Sequence, residues 1–388
     1  MNKPKIVATA SHTGGINAIT NVVKSMKKDG LEVAVINSNP DFSPVFQRNN
    51  LEYDLLESYN INDSSIDSAN KLISTLNPGD IKLILLGQAC QSEKNKNILE
   101  QSLAIAAREY NIPTLSVSDF WTNRPQYFSD IFDEENGKFK FLTTKIAILD
   151  PIQEGILLKQ GFPKDKLEIT GNPYFDNYKN MTEELFAWKK YEIMQKLNIS
   201  RDDKVVLFAS QPIEKYHGSS SKNKDFLGYT QFSVLANIAD VIDNLNDMLE
   251  TPKTKLLVKL HREENLEDFS IKNKCVEFID KDFNLIDAML VSDVVTSMYS
   301  TVLVESTFLD KPSLSIQTGF FKQEDLLPTN DLGITVPVYS NKNLRETLKK
   351  SLFNKNYQKH LKDGRDKLVN DGLATQRVKD LAYRMMKN

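Results

Sequence analysis

Cysteine is scarce in this sequence, and long apolar runs are missing. Cys90 and Cys275 are the only cysteines among 388 residues, and they lie far apart without metal-ligand spacing. The sequence therefore argues against a disulfide scaffold and a zinc site, and it favours a reduced, cytoplasmic setting. No apolar segment reaches membrane-spanning length, and residues 6–10 are too short an apolar run for a signal peptide. We therefore do not expect an integral membrane protein.

A surplus of basic charge is also missing. The formal net charge is −3, from 49 Lys and Arg against 52 Asp and Glu. A protein whose main partner is nucleic acid normally carries a basic surplus, so we expect no nucleic-acid partner. Hydrophobic residues make up 40% and charged residues 26% of the chain, as in ordinary globular proteins. A chain of 388 residues exceeds what one core usually supports, which predicts two domains.

What the sequence does contain is a regular alternation of β-rich apolar runs and amphipathic stretches. In the first half, the strands are predicted at residues 5–10, 32–37, 81–87, 114–117 and 145–149. The helices between them are predicted at residues 16–29, 64–76 and 94–110. Such a βαβ series builds a parallel sheet with helices on both faces and a ligand crevice beyond the strand carboxyl ends.

A second series follows the sequence TGNP at residues 170–173, a predicted hinge. Its strands are predicted at 205–209, 255–260, 276–279, 293–296, 313–316 and 333–336, and its helices at 229–250 and 284–290. This divides the chain into an N-terminal domain (1–172), a C-terminal domain (173–368) and a terminal segment (369–388). The terminal helix, predicted at 371–387 with Asp371 or Thr375 as its cap, is expected to cross back onto the first domain.

The first candidate motif, SHTGGINA at residues 11–18, lies between the first predicted strand and helix. Gly14 and Gly15 allow the backbone to approach a ligand closely, and His12 lies where a side chain can enter the crevice. Histidine near neutral pKa can deprotonate an acceptor hydroxyl. The alternative is a tight turn in which His12 only caps the helix. The full Gly-x-Gly-x-x-Gly spacing is lacking, which gives weak support for a dinucleotide site.

The second candidate motif, LVKLHREE at residues 257–264, is a strand that ends in His-Arg. We expect His261 and Lys259, two residues apart in the strand, to share one side and to bind a pyrophosphate leaving group. A strand end with solvated charges is the alternative. Ser210, at the end of the first strand of the second domain, is a further candidate for a phosphate contact. The other histidines, His217 and His360, are predicted to lie on the surface.

Asp119 follows another predicted strand of the first domain and can act as a base or orient His12. Phe120 and Trp121 come directly after it. Their rings can stack on a sugar or an acceptor, or they can pack between domains. Periodicity does not separate these two interpretations.

A hydroxyl-rich turn precedes a short helix in residues 292–316. Ser300 and Thr301 at the start of this helix predict free backbone N–H groups for a phosphate. Glu305 lies four residues further along, where it can accept hydrogen bonds from a ribose. We therefore predict a nucleotide at the carboxyl edge of the second sheet.

The order of these parts resembles the glycosyltransferase B (GT-B) architecture, with its Gly-Gly turn, Thr-Gly-Asn-Pro hinge and Lys-Leu-His strand end. Residues 257–261, 292–312 and 371–378 (DGLATQRV) are similar to the C-terminal half of CDP-glycerol glycerophosphotransferases and capsule-polymer transferases. Arg262 departs from that family pattern, where proline follows the histidine. The hinge and the N-terminal turn also resemble UDP-N-acetylglucosamine 2-epimerases and lipid A disaccharide synthases.

The resemblance implies an α/β fold with two Rossmann-like doubly wound domains facing a cleft. It also implies that the N-terminal domain (1–172) binds the acceptor and the C-terminal domain (173–368) binds the nucleotide donor. It implies a metal-independent transferase without a cofactor, which moves a glycosyl or polyol-phosphate group from a CMP, CDP or UDP conjugate. The acceptor would be a cell-surface glycan or its lipid-linked precursor, and the catalytic residues would be His12, Asp119 and His261. A sugar-nucleotide 2-epimerase and a non-catalytic nucleotide-binding subunit are the alternatives. Peripheral association with the cytoplasmic membrane and a homodimer are compatible with this assignment.

Overall fold

The structure is a computed structural model that describes residues 5–92, 95–121, 124–133, 135–179, 183–248, 253–322, 325–363 and 367–387. The chain divides into two compact units. The first comprises residues 1–180 together with 368–388, and the second comprises residues 181–367. Within the described residues, no helix is both long and apolar enough to cross a membrane.

The first unit contains a seven-stranded sheet in which every strand pairs in parallel with its neighbour. Its order is β3-β2-β1-β4-β5-β6-β7. The strands are β1 (Lys5–Thr9), β2 (Glu32–Asn37), β3 (Asp54–Leu55), β4 (Ile81–Leu86), β5 (Thr114–Val117), β6 (Lys145–Ile148) and β7 (Leu167–Ile169). The helices are α1 (Thr13–Lys28), α2 (Ser43–Arg48), α3 (Ile66–Thr75), α4 (Leu99–Glu109), α5 (Arg124–Phe128), α6 (Pro151–Lys159) and α7 (Asp176–Lys179).

The second unit contains a six-stranded parallel sheet in the order β10-β9-β8-β11-β12-β13. The strands are β8 (Lys204–Ala209), β9 (Thr254–Lys259), β10 (Val276–Ile279), β11 (Val294–Ser297), β12 (Ser313–Ile316) and β13 (Val336–Val338). The helices are α8 (Glu183–Lys196), α9 (Ile213–His217), α10 (Gln231–Met248), α11 (Leu285–Val291), α12 (Val302–Thr307), α13 (Asn341–Phe353) and α14 (Lys355–Asp363). The predicted α/β fold class, with two Rossmann-like doubly wound sheets, is confirmed.

Short 3₁₀ segments connect several of these elements: Pro40–Phe42, Leu56–Tyr59, Lys164–Lys166, Pro173–Phe175 and Leu266–Asp268. The predicted strand bounds agree with the structure to within one or two residues, except for the last strand. The prediction placed it at 333–336, whereas β13 begins at Val336. Gly333 has a φ of +67° and its N–H donates to the carbonyl of Asn330, so it belongs to a turn. Pro337 is tolerated in β13 because this strand is at the sheet edge.

The last helix, α15 (Ala374–Lys387), packs on α1 in the first unit. Its buried face, which includes Val378 and Leu381, belongs to the same hydrophobic core as Ile19 and Val22 of α1. The expected crossing back of this helix is therefore seen. Its expected cap is wrong: neither Asp371 nor Thr375 caps the helix.

The cap of α15 comes from Asp176, almost 200 residues earlier. The Asp176 carboxylate accepts hydrogen bonds from the N–H groups of Ala374 at 3.1 Å and Thr375 at 2.7 Å. A carboxylate at a helix N-terminus satisfies orphan donors and complements the helix dipole. Asn21 of α1 also binds the carbonyl of Pro173. The first unit thus continues beyond the Asn172-Pro173 step, which the prediction took as the domain boundary.

Replacing Asp176 with alanine should destabilise the first unit, because two buried N–H groups lose their acceptor. We expect a loss of about 1–3 kcal/mol in the free energy of unfolding, measured by urea and thermal unfolding. Asp371→Ala is the matched control, since it removes a half-exposed ion pair with Arg377 and a hydrogen bond from the Leu373 N–H, and leaves the Asp176 contacts in place. That pair should contribute less than about 1 kcal/mol. Equal losses in the two variants would contradict the capping role.

Candidate functional site

The carboxyl edge of the first sheet has a topological switch point between β1 and β4. The chain passes from β1 to β2 on one side, while β4 pairs with the other side of β1. Crevices at such points bind ligands in open α/β sheets. The segments that follow β1, β4 and β5 therefore meet where chemistry is expected.

His12 and Asp119 meet at this edge. His12 follows β1 and caps α1, Asp119 follows β5, and His12 Nε2 lies 3.0 Å from Asp119 Oδ2. Their side chains are 29% and 13% exposed. The structure thus brings Asp119 to His12 at the distance that the hypothesis of an orienting carboxylate requires.

The protonation of His12 Nε2 decides which of two neighbours it binds. Nε2 contacts both Asp119 and the backbone N–H of Gly15, the latter at 3.2 Å. A protonated Nε2 donates to an ionised Asp119, whereas a bare Nε2 accepts from Gly15. Nδ1 is buried and has no hydrogen-bond partner among the described residues. When Nε2 carries a proton, that proton therefore lies between Nε2 and the Asp119 carboxylate.

Three glycines make room for the pair. A Cβ on Gly14 would lie 1.9 Å from Asp119 Oδ2, and one on Gly15 would lie 2.8 Å from His12 Cε1. Gly87 follows β4, and a Cβ there would lie 2.6 Å from the Cβ of Ala10. Any side chain at these positions would displace the pair or the turn that carries it, which explains the Gly-Gly motif without a dinucleotide.

Glu100, in the first turn of α4, is a residue that sequence reasoning missed. Its carboxylate is buried and accepts two hydrogen bonds of 2.6 Å from the N–H and the hydroxyl of Ser11. The candidate residues of the sequence lie at strand ends and the turns that follow them, whereas Glu100 belongs to a helix. The only available signal was an acidic residue in a helix N-terminal turn.

Of the two roles left open for Trp121, the structure shows packing. Its side chain is only 1% exposed, and its indole N–H donates to Asp150 Oδ2 at 2.8 Å. Asp150 caps α6, and burial raises the pKa of its carboxyl. Trp121 is therefore a core residue and cannot stack on a sugar in this conformation. Phe120 packs edge-on against it.

In the second unit, the switch point lies between β8 and β11, with β9 on the other side of β8. His261 follows β9, and its Nδ1 accepts a hydrogen bond from the N–H of Glu263 at 3.3 Å. Burial lowers the pKa of His261, so the ring is neutral at pH 7. Since Nδ1 accepts, the proton of the neutral ring lies on Nε2. His261 is thus a neutral donor rather than the cation expected at a phosphate site.

Glu264 stabilises the turn that carries His261. It is buried and accepts hydrogen bonds from the His261 N–H and the Ser210 hydroxyl, both at 2.8 Å. Burial raises the pKa of Glu264, and these two hydrogen bonds oppose the shift. The backbone N–H of Ser210 donates to the carbonyl of Lys259. Both donors of Ser210 therefore have acceptors, and its hydroxyl holds the Glu264 carboxylate. A phosphate contact of Ser210 stays a prediction.

Lys259 is also engaged elsewhere. Its ammonium donates to the carbonyl of Lys281 at 2.7 Å, in the loop after β10. The contact of Lys259 with a pyrophosphate stays a prediction. The carboxylate of Glu263 instead binds Lys215 and Tyr216 at 2.5 and 2.7 Å.

The hydroxyl-rich turn differs from the free helix end that the sequence predicted. Helix α12 has only six residues. The N–H of Val302 donates to Ser300 Oγ, and that of Val304 donates to the Thr301 carbonyl. Glu305 is buried, with 6% of its surface exposed. Its contact with a ribose stays a prediction, and so do the phosphate contacts of Ser300 and Thr301.

Tyr299 of this turn contacts His217, which the sequence placed on the surface. The Tyr299 hydroxyl lies 2.9 Å from His217 Nε2. Burial raises the pKa of Tyr299 to about 12 and lowers that of His217. The Tyr299 N–H also donates to Gln211, which follows β8. The turn is therefore held by side chains from the loop after β8.

Among the described residues, no group of three or more His, Cys, Asp and Glu side chains is arranged to hold a metal ion. The polar side chains at the two sheet edges are instead paired with one another. What they can supply is proton exchange at His12 and Asp119 and hydrogen-bond donation from His261.

A family model for CDP-glycerol:poly(glycerophosphate) glycerophosphotransferase matches residues 151–382. This range includes the whole second unit, the His261 strand end and the Asp176 cap. No curated protein matches the sequence of the chain.

Solved structures match over nearly the full length. UDP-GlcNAc 2-epimerase from Neisseria meningitidis, bound to UDP-GlcNAc, superposes with a TM-score of 0.66 at 16% identity, covering 98% of this chain and 100% of that chain. A glycosyltransferase from Rickettsia africae superposes with a TM-score of 0.62 at 13% identity, covering both chains completely. At these identities the likeness concerns the fold, and the expected GT-B-like architecture is confirmed.

Proposed function

Because the chain belongs to the CDP-glycerol:poly(glycerophosphate) glycerophosphotransferase family, we propose that it transfers a polyol-phosphate group from a nucleotide-activated donor to a glycan acceptor. A glycosyl group is the second candidate for the transferred group. The observation that carries the proposal is the 3.0 Å contact between His12 and Asp119 at the switch point of the first sheet. Family membership supports the class of reaction, and the His12–Asp119 pair is the proposed base for it.

The reaction is a displacement at phosphorus. The acceptor hydroxyl oxygen forms a bond to the phosphorus of the polyol phosphate, and the bond from that phosphorus to the oxygen of the nucleoside monophosphate breaks. The hydroxyl proton passes to the Asp119 carboxylate, which the Nε2 proton of His12 orients by its hydrogen bond. The nucleoside monophosphate leaves with the electron pair of the broken bond.

His261 is the proposed donor to the leaving phosphate. A neutral ring with its proton on Nε2 can hydrogen-bond a phosphate oxygen whose negative charge grows as the bond breaks. The proposed nucleotide site is the turn at Ser300 and Thr301 together with Glu305 of the helix that follows it. The proposed reaction needs no resident metal or cofactor. We place it at the cytoplasmic face of the membrane, where a lipid-linked acceptor would be within reach.

The proposal is tested by nucleotide release. The purified chain is incubated with CDP-glycerol, with another CDP-polyol or with UDP-GlcNAc, each with and without poly(glycerophosphate) acceptor. We expect release of CMP from a CDP-polyol that depends on acceptor, and a thermal stabilisation by the same donor. His261→Ala should lower kcat by a factor on the order of 100 or more. His360→Ala, which replaces an exposed histidine of α14, is the matched control and should be unaffected.

Two outcomes would overturn this assignment. Wild-type turnover in His261→Ala would remove His261 from the chemistry. Exchange of solvent deuterium into UDP-GlcNAc, without acceptor and without nucleotide release, would instead show a 2-epimerase. Release of UDP from UDP-GlcNAc that requires acceptor would identify a glycosyl group as the one transferred.

A further inference from the structure

Glu100 accepts from both hydrogen-bond donors of Ser11, the residue that precedes His12. Its Oε1 accepts from the Ser11 N–H and its Oε2 accepts from the Ser11 hydroxyl, each at 2.6 Å. We propose that Glu100 is a positioning residue for His12, which fixes the distance between His12 and Asp119. This inference rests on the proposed function, because it gives Glu100 a role in the same transfer.

The location of Glu100 suits an ionised carboxylate. We call its two hydrogen bonds from Ser11 the Glu100 clamp. It is the second residue of α4, where the helix dipole stabilises a carboxylate. Helix α4 follows β4, the strand that pairs with β1 at the switch point. The side chain therefore spans from the β4 crossover to the end of β1. Hydrogen bonds to an ionised acceptor are roughly twice as strong as neutral ones.

The burial of Glu100 indicates that its carboxylate does more than fill space in the core. Glu100 is only 4% exposed, and an apolar side chain there would avoid the cost of removing a charge from water. Unlike an apolar side chain, the carboxylate orients Ser11, because it binds the N–H and the hydroxyl of that residue at the same time. The Ser11 hydroxyl also lies 3.0 Å from that of Ser38, after β2. The turn that carries His12 is thus held from two neighbouring strands.

Glu100 does not itself act on substrate in this arrangement. Both of its oxygens are engaged by Ser11, and the side chain is buried. Its effect must pass through the backbone at Ser11 to the ring of His12. A displacement of 1 Å at a reacting group costs on the order of 100-fold in rate. Loss of the clamp should therefore lower kcat and leave the KM for donor nearly unchanged.

The kinetic test compares alanine with glutamine at position 100. Glu100→Ala should lower kcat about 10–100-fold, because nothing then fixes Ser11. Glu100→Gln should restore kcat to within about fivefold of wild type, since its amide can accept from the Ser11 N–H and donate to the Ser11 oxygen. The Ser11 proton would then point to Ser38. Glu154→Ala, an acidic residue in the first turn of α6, is the matched control.

A second readout is independent of any substrate. In protein with ¹⁵N-labelled histidine, the Nε2 proton of His12 should give a protected signal because it is bonded to Asp119. We expect this signal in wild type and in Glu100→Gln, and its loss in Glu100→Ala. This measurement needs no donor, so it decides the role of Glu100 even if no transfer reaction is found.

Ser11→Ala covers the case in which Glu100→Ala does not fold. It removes the hydroxyl contact but keeps the N–H contact, and we expect a smaller fall in kcat of about 3–10-fold. A wild-type kcat together with an unchanged His12 signal in either variant would overturn the positioning role. A fall in kcat with an intact His12 signal in Glu100→Ala would also overturn it, because the effect would then not pass through the ring.

Discussion

Replacing Asp119 with asparagine is expected to lower the transfer rate about 100–10,000-fold, the range usual for loss of a general base. Asparagine keeps the shape of the side chain but cannot accept the hydroxyl proton, and it lacks the negative charge that binds the Nε2 proton of His12. The fold should persist, because the pair is partly exposed and such pairs contribute about 0–1 kcal/mol to stability. The measurement is acceptor-dependent nucleotide release, with circular dichroism and the thermal midpoint as checks on folding.

Two further variants sharpen this test. Asp54→Asn removes a carboxylate from the edge strand β3, where it accepts only a hydrogen bond from Tyr59 in the surface layer, and it should keep full activity. If His12 and Asp119 act as one unit, the double variant His12→Gln/Asp119→Asn should be no slower than the slower single variant. Multiplied losses would show that the two residues act independently, and undiminished turnover in Asp119→Asn would remove the pair from the mechanism.

The second large effect is expected from a single methyl group. Gly14→Ala would place a Cβ 1.9 Å from Asp119 Oδ2 and 3.0 Å from its Cγ. The carboxylate can rotate away, so the fold survives, but the contact with His12 is then lost. We expect kcat to fall about 10–100-fold, as for other misplaced catalytic groups. Alanine is the better helix former by about 1 kcal/mol, which should offset the strain in the thermal midpoint.

Gly155→Ala is the matched control for this prediction. Gly155 lies in α6, and a Cβ there meets nothing within 4 Å. This variant should gain about 0.5–1 kcal/mol of stability and keep the wild-type transfer rate. A Gly14→Ala protein as active as Gly155→Ala would show that the close approach of the helix to Asp119 has no bearing on catalysis.

The sheets were predictable because their strands are short apolar runs separated by turn residues. The run 205–209 is entirely apolar and becomes the central strand β8. The meeting of His12 and Asp119 also followed from topology, since both residues come directly after parallel strands. Sequence could mark them as neighbours, but only the structure gives the 3.0 Å contact and the role of Gly14.

The residues that support the sites were not predictable in this way. Glu100 contacts a residue 89 positions away, and Glu264 binds a hydroxyl 54 positions away, so no local pattern reveals either contact. Periodicity left two roles open for Trp121, and the buried Asp150 that accepts its N–H decides for packing. The contact of the Lys259 ammonium with the Lys281 carbonyl, 22 positions away, likewise leaves no mark on strand periodicity.

The Asp176 cap has a consequence for how the protein is made. The N–H groups that this carboxylate binds lie 198 and 199 positions later in the chain, and the whole second unit is encoded between them. At ribosomal rates of about 5–20 residues per second, the first unit waits on the order of 10–40 s for its last helix. During that interval the face of α1 that receives Val378 and Leu381 is uncovered. The nascent chain thus exposes apolar surface throughout synthesis of the second unit, and it is then that a chaperone would be needed.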